Sequence, residues 1–242
     1  MHVSTKNKLK LIGYISNSIL LIVAIVISFA VAGINRNETM ETVSRYNGTI
    51  YAGNQQSNNV SLMINIYWGD EYLEKMLDTF KEYDMKTTFF VGGTWANSNT
   101  TLLKRIYDDG HEIASHGMTH ADHSKLDYAN NYKEIEACHK IIEKNLNISM
   151  TLFAPPSGAY NKSTIQAAEA MGYKTIMWTR DTIDWRDRNT DLIYSRAINN
   201  MKGGDLILMH PTKETAEALP MILDYIKSNN FMLATVSENI KE

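Results

Sequence analysis

Ser115-His116-Gly117-Met118-Thr119-His120 is the segment of this chain best equipped for chemistry. Two imidazoles four residues apart, at the end of an apolar run, face one point if the segment turns into helical geometry, and neutral imidazole is a common ligand for zinc-like ions. The same spacing also occurs among surface and core histidines, so a third ligand decides. Asp70, in Trp68-Gly69-Asp70-Glu71, follows an earlier apolar run and would bring a carboxylate to the same rim, leaving positions open for water and substrate. Its competing role is to cap the helix that follows. Cys138, the single cysteine, lies on the stripe Ile135, Cys138, Ile142, Leu146, which reads as a buried small hydrophobe and rules out an intrachain disulfide.

The elements that must position these groups form an alternating series. Apolar runs at 60–67, 87–91, 112–115, 151–155, 175–179, 206–209 and 232–236 read as strands, separated by amphipathic stretches. The first of these stretches places Leu73, Met76, Leu77 and Phe80 on one helical face; further helices are expected near 101–108, 131–145, 163–171, 192–201 and 215–228. Seven strands with intervening helices suit either an incomplete barrel or an open doubly wound sheet. Asn65, Asp70, His116, His120, Ser157, Asp181, Asp184 and His210 all fall at or just beyond a strand's C-terminal end, the rim where a barrel collects its catalytic groups. A glycine-rich nucleotide loop is missing, since Gly203-Gly204-Asp205 precedes a strand, so the pattern favours the barrel and no nucleotide cofactor.

The chain has 242 residues, room for one domain of barrel size and a short appendage. A net charge of -3 argues against a nucleic-acid partner. The expected organisation is a basic cytoplasmic segment at 1–10, an uncharged span at 11–34, a polar linker at 35–59 and the folded domain at 60–242. At ~1.5 Å per residue the span is long enough to cross a bilayer. Lys6, Lys8 and Lys10 before it place the domain outside the cytoplasm. The alternative is a cleaved signal peptide, with Ala30-Val31-Ala32 as its small-residue site and a secreted product. His111 and His123 read as exposed or structural, and His139 as solvent-facing beside an apolar stripe.

Five ordered segments resemble the polysaccharide deacetylase family across nearly all of 60–236. They are Asn65-Ile66-Tyr67-Trp68-Gly69-Asp70, the histidine pair, Phe153-Ala154-Pro155-Pro156-Ser157-Gly158, Asp181-Thr182-Ile183-Asp184-Trp185 and Leu208-Met209-His210. Trp68-Gly69-Asp70-Glu71 and Met177-Trp178-Thr179 are similar to its sporulation-associated branch. The resemblance implies a distorted (β/α)7 barrel and removal of acetyl groups from cell-envelope glycans such as peptidoglycan or chitin, with a divalent metal, zinc first among the candidates. On that pattern Asp70, His116 and His120 hold the ion, with Glu71 as alternative ligand or base. His210 protonates the leaving amine, oriented by Asp181. Trp185 and Tyr160 stack on a sugar ring or pack at the rim, beside Pro156 and Ser157. Asp108-Asp109-Gly110 imitates the family's paired aspartates, but a helix-to-strand turn accounts for it.

Two positions depart from the family pattern. Its members begin with adjacent aspartates, a base and then a metal ligand, where this chain is read as having Asn65 and Ile66; its third motif carries an arginine beside the base, where this chain has Ala154. An amide does not accept a proton, and a guanidinium without its carboxylate would be an unpaired charge, so the two losses belong together. The sequence therefore carries two readings: a metal-dependent hydrolase of acetylated cell-wall glycan with a divergent base, and a catalytically silent glycan-binding or envelope protein that keeps the barrel.

Overall fold

The computed structural model describes residues 43–241, together with Val23. The expected span at 11–34 lies outside the described residues, Val23 apart; among those described, no helix is long and apolar enough to cross a membrane. Residues 42–242 form one compact unit.

The chain opens with a hairpin, β1 (Val43–Tyr46) and β2 (Thr49–Asn54), paired antiparallel. Its two-residue loop, Asn47-Gly48, has φ of 49° and 83°, the left-handed pair that suits the twist of a tight hairpin. The stretch expected as linker at 35–59 is thus part of the sheet from Val43 onward. Its Asn and Gly residues carry turn chemistry, and short strands on a sheet edge need no long apolar run.

Eight further strands follow: β3 (Asn59–Ile66), β4 (Thr88–Val91), β5 (Glu112–Ser115), β6 (Leu152–Phe153), β7 (Lys174–Ile176), β8 (Arg180–Asp181), β9 (Leu206–Met209) and β10 (Met232–Leu233). The order β1-β2-β7-β6-β5-β4-β3-β9-β8, with β10 beside β3, gives one curled sheet, parallel except for the opening hairpin. The path ends at β1 and β8, so the architecture is an α/β half-barrel and not a closed ring of seven. The apolar run expected to be one strand at 175–179 is split here, because Met177 turns to pair its N–H with Ile50 O while Thr179 N–H pairs with Leu206 O. At the lower end Gly53 N–H donates to Gly204 O (2.7 Å) and Gly204 N–H to Asn59 O (2.7 Å), tying the hairpin to the start of β9.

The helices are α1 (Leu73–Glu82), α2 (Gly93–Ser98), α3 (Thr100–Asp108), α4 (Tyr128–Leu146), α5 (Lys162–Ala170), α6 (Thr190–Ile198), α7 (Lys213–Ser228) and α8 (Val236–Asn239). Side-chain caps fix where several begin: Asp127 accepts from Asn130 N, Asn161 from Thr164 N, Asn189 from Leu192 N and Thr212 from Thr215 N. Alternation along β3 divides the core. Leu62, Ile64 and Ile66 pack with Leu73, Met76, Phe80 and Ile222 of the helical layer. Met63 belongs instead to a smaller cluster with Phe90, Ala114, Leu152 and Ile176, inside the curl. Asn65 continues the inner row and Ile66 the outer one. Asp108-Asp109-Gly110 lies between α3 and β5 as expected, with Gly110 at φ 83°.

Candidate functional site

Inside the curl, at the strands' C-terminal ends, lies a cavity of about 440 Å³ lined by Asn65, Tyr67, Trp68, His116, His120, Ser157, Trp178, Asp181, Trp185, Leu208 and His210. Seven of these were expected site residues, drawn from all five motifs: Asn65, His116, His120, Ser157, Asp181, Trp185 and His210. The fold brings them together.

His116 follows β5 directly and is anchored by its N–H to Val91 O (2.9 Å). Its Nδ1 lies 2.8 Å from Ala154 O. A carbonyl oxygen only accepts, so Nδ1 carries the proton and Nε2 is left as the ring's other nitrogen. Burial, then the neighbouring His120, pushes the His116 pKa down to about 3, so the ring is neutral at ordinary pH. His120 sits at φ 59°, a left-handed backbone that turns its ring back towards His116, centroid to centroid 5.2 Å at 69°. Burial likewise lowers its pKa. Glu134 on α4 holds the intervening turn, accepting from Met118 N (3.1 Å), Thr119 N (2.9 Å) and Thr119 Oγ1 (2.9 Å). The sequence offered no local cue for this brace, which crosses from a helix to a loop.

The expected third ligand does not join the pair. Gly69, at φ 82°, turns the chain into the short 3-10 turn Asp70–Tyr72, where Asp70 and Glu71 are exposed and outside the cavity lining. Asp70 does not cap α1 either, since the N-cap there is Tyr72 and makes no side-chain bond. Ile66 is fully buried on the helical side. The adjacent residues that both enter the mouth are Tyr67 and Trp68, just past the end of β3, and not Asn65 and Ile66, which alternate across it. Tyr67 stacks on His120 (4.7 Å, 28°) and Trp68 lies parallel to His210 (6.1 Å, 5°). Asn65 is 4% exposed at the cavity wall, and its Oδ1 has no partner. Among the described residues no group of three or more His, Cys, Asp or Glu side chains is placed to hold an ion. The donor set does not fit the metal that the resemblance implies, because two imidazoles stand where a zinc site uses three protein ligands.

His210 directly follows β9, and its partner is Asp184, not Asp181. Asp184 Oδ1 is 2.8 Å from His210 Nδ1, while its Oδ2 accepts from His210 N (2.6 Å) and Thr215 Oγ1 (2.7 Å). Asp184 is fully buried. Asp181 lines the cavity with its Oδ1 accepting from Ile183 N (2.7 Å). Ile183 at φ 55° reverses the chain between the two carboxylates, sending one to the ring and the other to the wall.

Other expected contacts resolve differently. Tyr160 is outside the lining, and its hydroxyl is 2.8 Å from Tyr51 Oη, on the hairpin side. Pro156 is buried beside the lining residue Ser157. Trp178, which had no assigned role, is in the wall. His111 and His123 are structural. His111 accepts from Thr87 N (3.2 Å) between Phe80 and Phe89, and His123 Nδ1 lies 2.6 Å from Asn131 Oδ1. His139 is half-buried against Tyr173 Oη (2.6 Å) and not simply solvent-facing. Cys138 is buried as expected, and burial pushes its thiol up to about 11.

The sequence model of the family described as polysaccharide deacetylase matches residues 52–176. The chain is 39% identical over 193 residues to the Bacillus subtilis (strain 168) protein YlxY, covering 80% of this chain and 60% of that one. It is 31% identical over 176 residues to a peptidoglycan-N-acetylglucosamine deacetylase of Bacillus cereus (strain ATCC 14579), covering 70% of this chain and 82% of the relative. The fold superimposes on a CE4 family pseudoenzyme from Bacillus anthracis with a TM-score of 0.79 at 33% identity, over 82% of this chain and 70% of that one. A mutant of that pseudoenzyme is described as having restored enzymatic activity.

Proposed function

The chain belongs to the polysaccharide deacetylase family, a family of metal-dependent hydrolases, and from that premise we propose that it is a member that binds cell-wall glycan and whose hydrolytic centre is incomplete. The observation that carries this reading is the pair Tyr67 and Trp68: two aromatic rings enter the mouth beside His120 and His210, and among the described residues no carboxylate joins the imidazoles of His116 and His120. Without a third ligand the site has no means of fixing an ion that would lower a water's pKa and polarise a carbonyl. An aromatic-walled cleft, by contrast, suits the apolar faces of sugar rings. The substrate named for the B. cereus relative supports peptidoglycan as the glycan, and the B. anthracis neighbour supports a silent centre.

A second reading rests on the buried Asp184–His210 pair. A carboxylate that orients an imidazole is what a general acid needs, and simple binding does not require it. One assay separates the two: purified full chain incubated with peptidoglycan and with acetylated chito-oligomers, measuring pelleting and acetate release. Co-sedimentation without acetate supports the binding member; acetate release that His210→Ala abolishes would replace it with the hydrolase.

The location follows the same proposal. Residues 11–34 anchor the chain in a membrane with the domain outside, on the strength of the lysines before that span, which is where peptidoglycan lies.

A further inference from the structure

We infer that the cavity recognises the free amine of a de-N-acetylated glycan, a glucosamine-type ammonium, in preference to the acetamido group. The inference rests on the proposal that the ligand is glycan and adds which chemical form of it is bound.

Asp181 is the starting point, because the pairing of His210 with Asp184 leaves it without the orienting role. It lines the cavity, and its Oδ1 accepts from a backbone N–H, that of Ile183. Both arginines on the loop after it are paired with other carboxylates, and Arg186 also lies over the Trp185 ring (5.8 Å). Arg186 is held by both oxygens of Asp187 (2.8 and 2.9 Å), although it lies near enough to feel the charge of Asp181. Arg188 lies over the Trp68 ring (5.9 Å) and faces Glu214 (3.7 Å). The cavity wall therefore contains a carboxylate that forms no ion pair with a cation among the described residues.

The rest of the lining suits a small cation. Tyr67, Trp68, Trp178 and Trp185 line it with aromatic rings, a class of side chain that attracts cations, and the guanidinium groups already over Trp68 and Trp185 show that affinity at two of them. His116 has its Nδ1–H committed to Ala154 O, so Nε2 is the ring's available acceptor. An ammonium brings three donors and a positive charge to this carboxylate, acceptor and aromatic set. An acetamido group brings one donor, a methyl and a carbonyl, and the ion that would polarise that carbonyl lacks a third ligand among the described residues.

The test is calorimetric titration of the full chain with the tetramer of glucosamine and, separately, the tetramer of N-acetylglucosamine, using wild type, Asp181→Asn and Trp185→Ala. The Asp181→Asn variant keeps a side-chain oxygen for Ile183 N and removes only the charge, so folding is preserved and is checked by thermal melting. The expected result is at least tenfold tighter binding of the glucosamine tetramer, with the ratio of the two affinities falling to about one in Asp181→Asn. Trp185→Ala should weaken both ligands. Equal or tighter binding of the acetylated tetramer would overturn the inference and leave glycan binding standing. A preference that survives in Asp181→Asn would reduce it to unspecific attraction of cations and overturn it as well. Binding of neither tetramer would overturn this inference and the glycan proposal together.

Discussion

Asp184 Oδ1 lies 2.8 Å from His210 Nδ1, and the second carboxylate oxygen of Asp184 accepts from the backbone N–H of the same histidine at 2.6 Å. One fully buried carboxylate thus fixes both the ring and the main chain of the residue that follows β9. The ring's Nδ1 is committed to that carboxylate, and the ring lines the cavity with Trp68 parallel to it. This places His210 in a fixed orientation whatever occupies the cavity.

Removing that carboxylate should be costly for the fold as well as for the site. Asp184→Ala leaves His210 N, His210 Nδ1 and Thr215 Oγ1 without their acceptor in a buried setting. The expected loss is about 3 kcal/mol of unfolding free energy. Urea denaturation monitored by tryptophan fluorescence measures it; a loss under half that size would mean that water replaces the carboxylate.

Ion binding should be recoverable at the two positions where aromatics enter the mouth. With Tyr67→Asp and Trp68→Asp together, carboxylates replace the rings now stacked on His120 and His210. Zinc affinity should rise at least tenfold over wild type by calorimetry, because a third ligand completes the set of His116 and His120. Adding His116→Ala should abolish the gain.

Trp185 is 49% exposed at the cavity's edge, so it contributes little to the core. Trp185→Ala should leave the melting temperature within a degree or so while weakening glycan binding about tenfold, the loss of one stacking platform of about 1.4 kcal/mol. A melting temperature that falls along with affinity would make the ring structural.

Acid should destabilise the protein through His111. Burial lowers its pKa from 6.5 to about 4, and protonating Nδ1 would also break its hydrogen bond from Thr87 N. The unfolded chain takes up this proton before the folded one does. Stability is therefore fully present above about pH 6.5 and is lost as pH falls towards 4, by on the order of 3 kcal/mol. His111→Asn, which keeps an acceptor for Thr87 N without a titrating ring, should lessen the dependence of the melting temperature on pH in that window, the remainder coming from the other buried imidazoles such as His116.

The lower end of the half-barrel depends on a close approach. A Cβ built on Gly203 would lie 1.7 Å from Ser57 O, a backbone atom with no freedom to move aside. Gly203→Ala should cost about 3 kcal/mol and lower the melting temperature by roughly 2–4 °C per kcal/mol. An unchanged melt would show that the turn after β2 shifts freely.

Much of this was legible in the sequence, because it is written in local periodicity. The strand and helix alternation, the buried stripe that holds Cys138, the turn at Asp108-Asp109-Gly110 and the family motifs each depend on residues close in the chain. So does the gathering of His116, His120, Asp181 and His210 at one rim, since parallel strands point their C-terminal ends the same way. The opening hairpin carried a readable cue, Asn47-Gly48, which polar composition obscured.

Tertiary structure alone decided which neighbours reach the mouth. Past the end of a strand the two-residue alternation stops, and single backbone angles take over: Gly69 at φ 82° carries Asp70 out to solvent after Tyr67 and Trp68 have entered, and Ile183 at φ 55° sends Asp184 to His210 and leaves Asp181 in the wall. The loops at the mouth are held by contacts between segments apart in the chain, Asp184 with Thr215 after Ile183 and Glu134 with Thr119 before His120. Periodicity in the sequence specifies the face of an element, while the aim of a side chain in a loop depends on what packs against it from elsewhere.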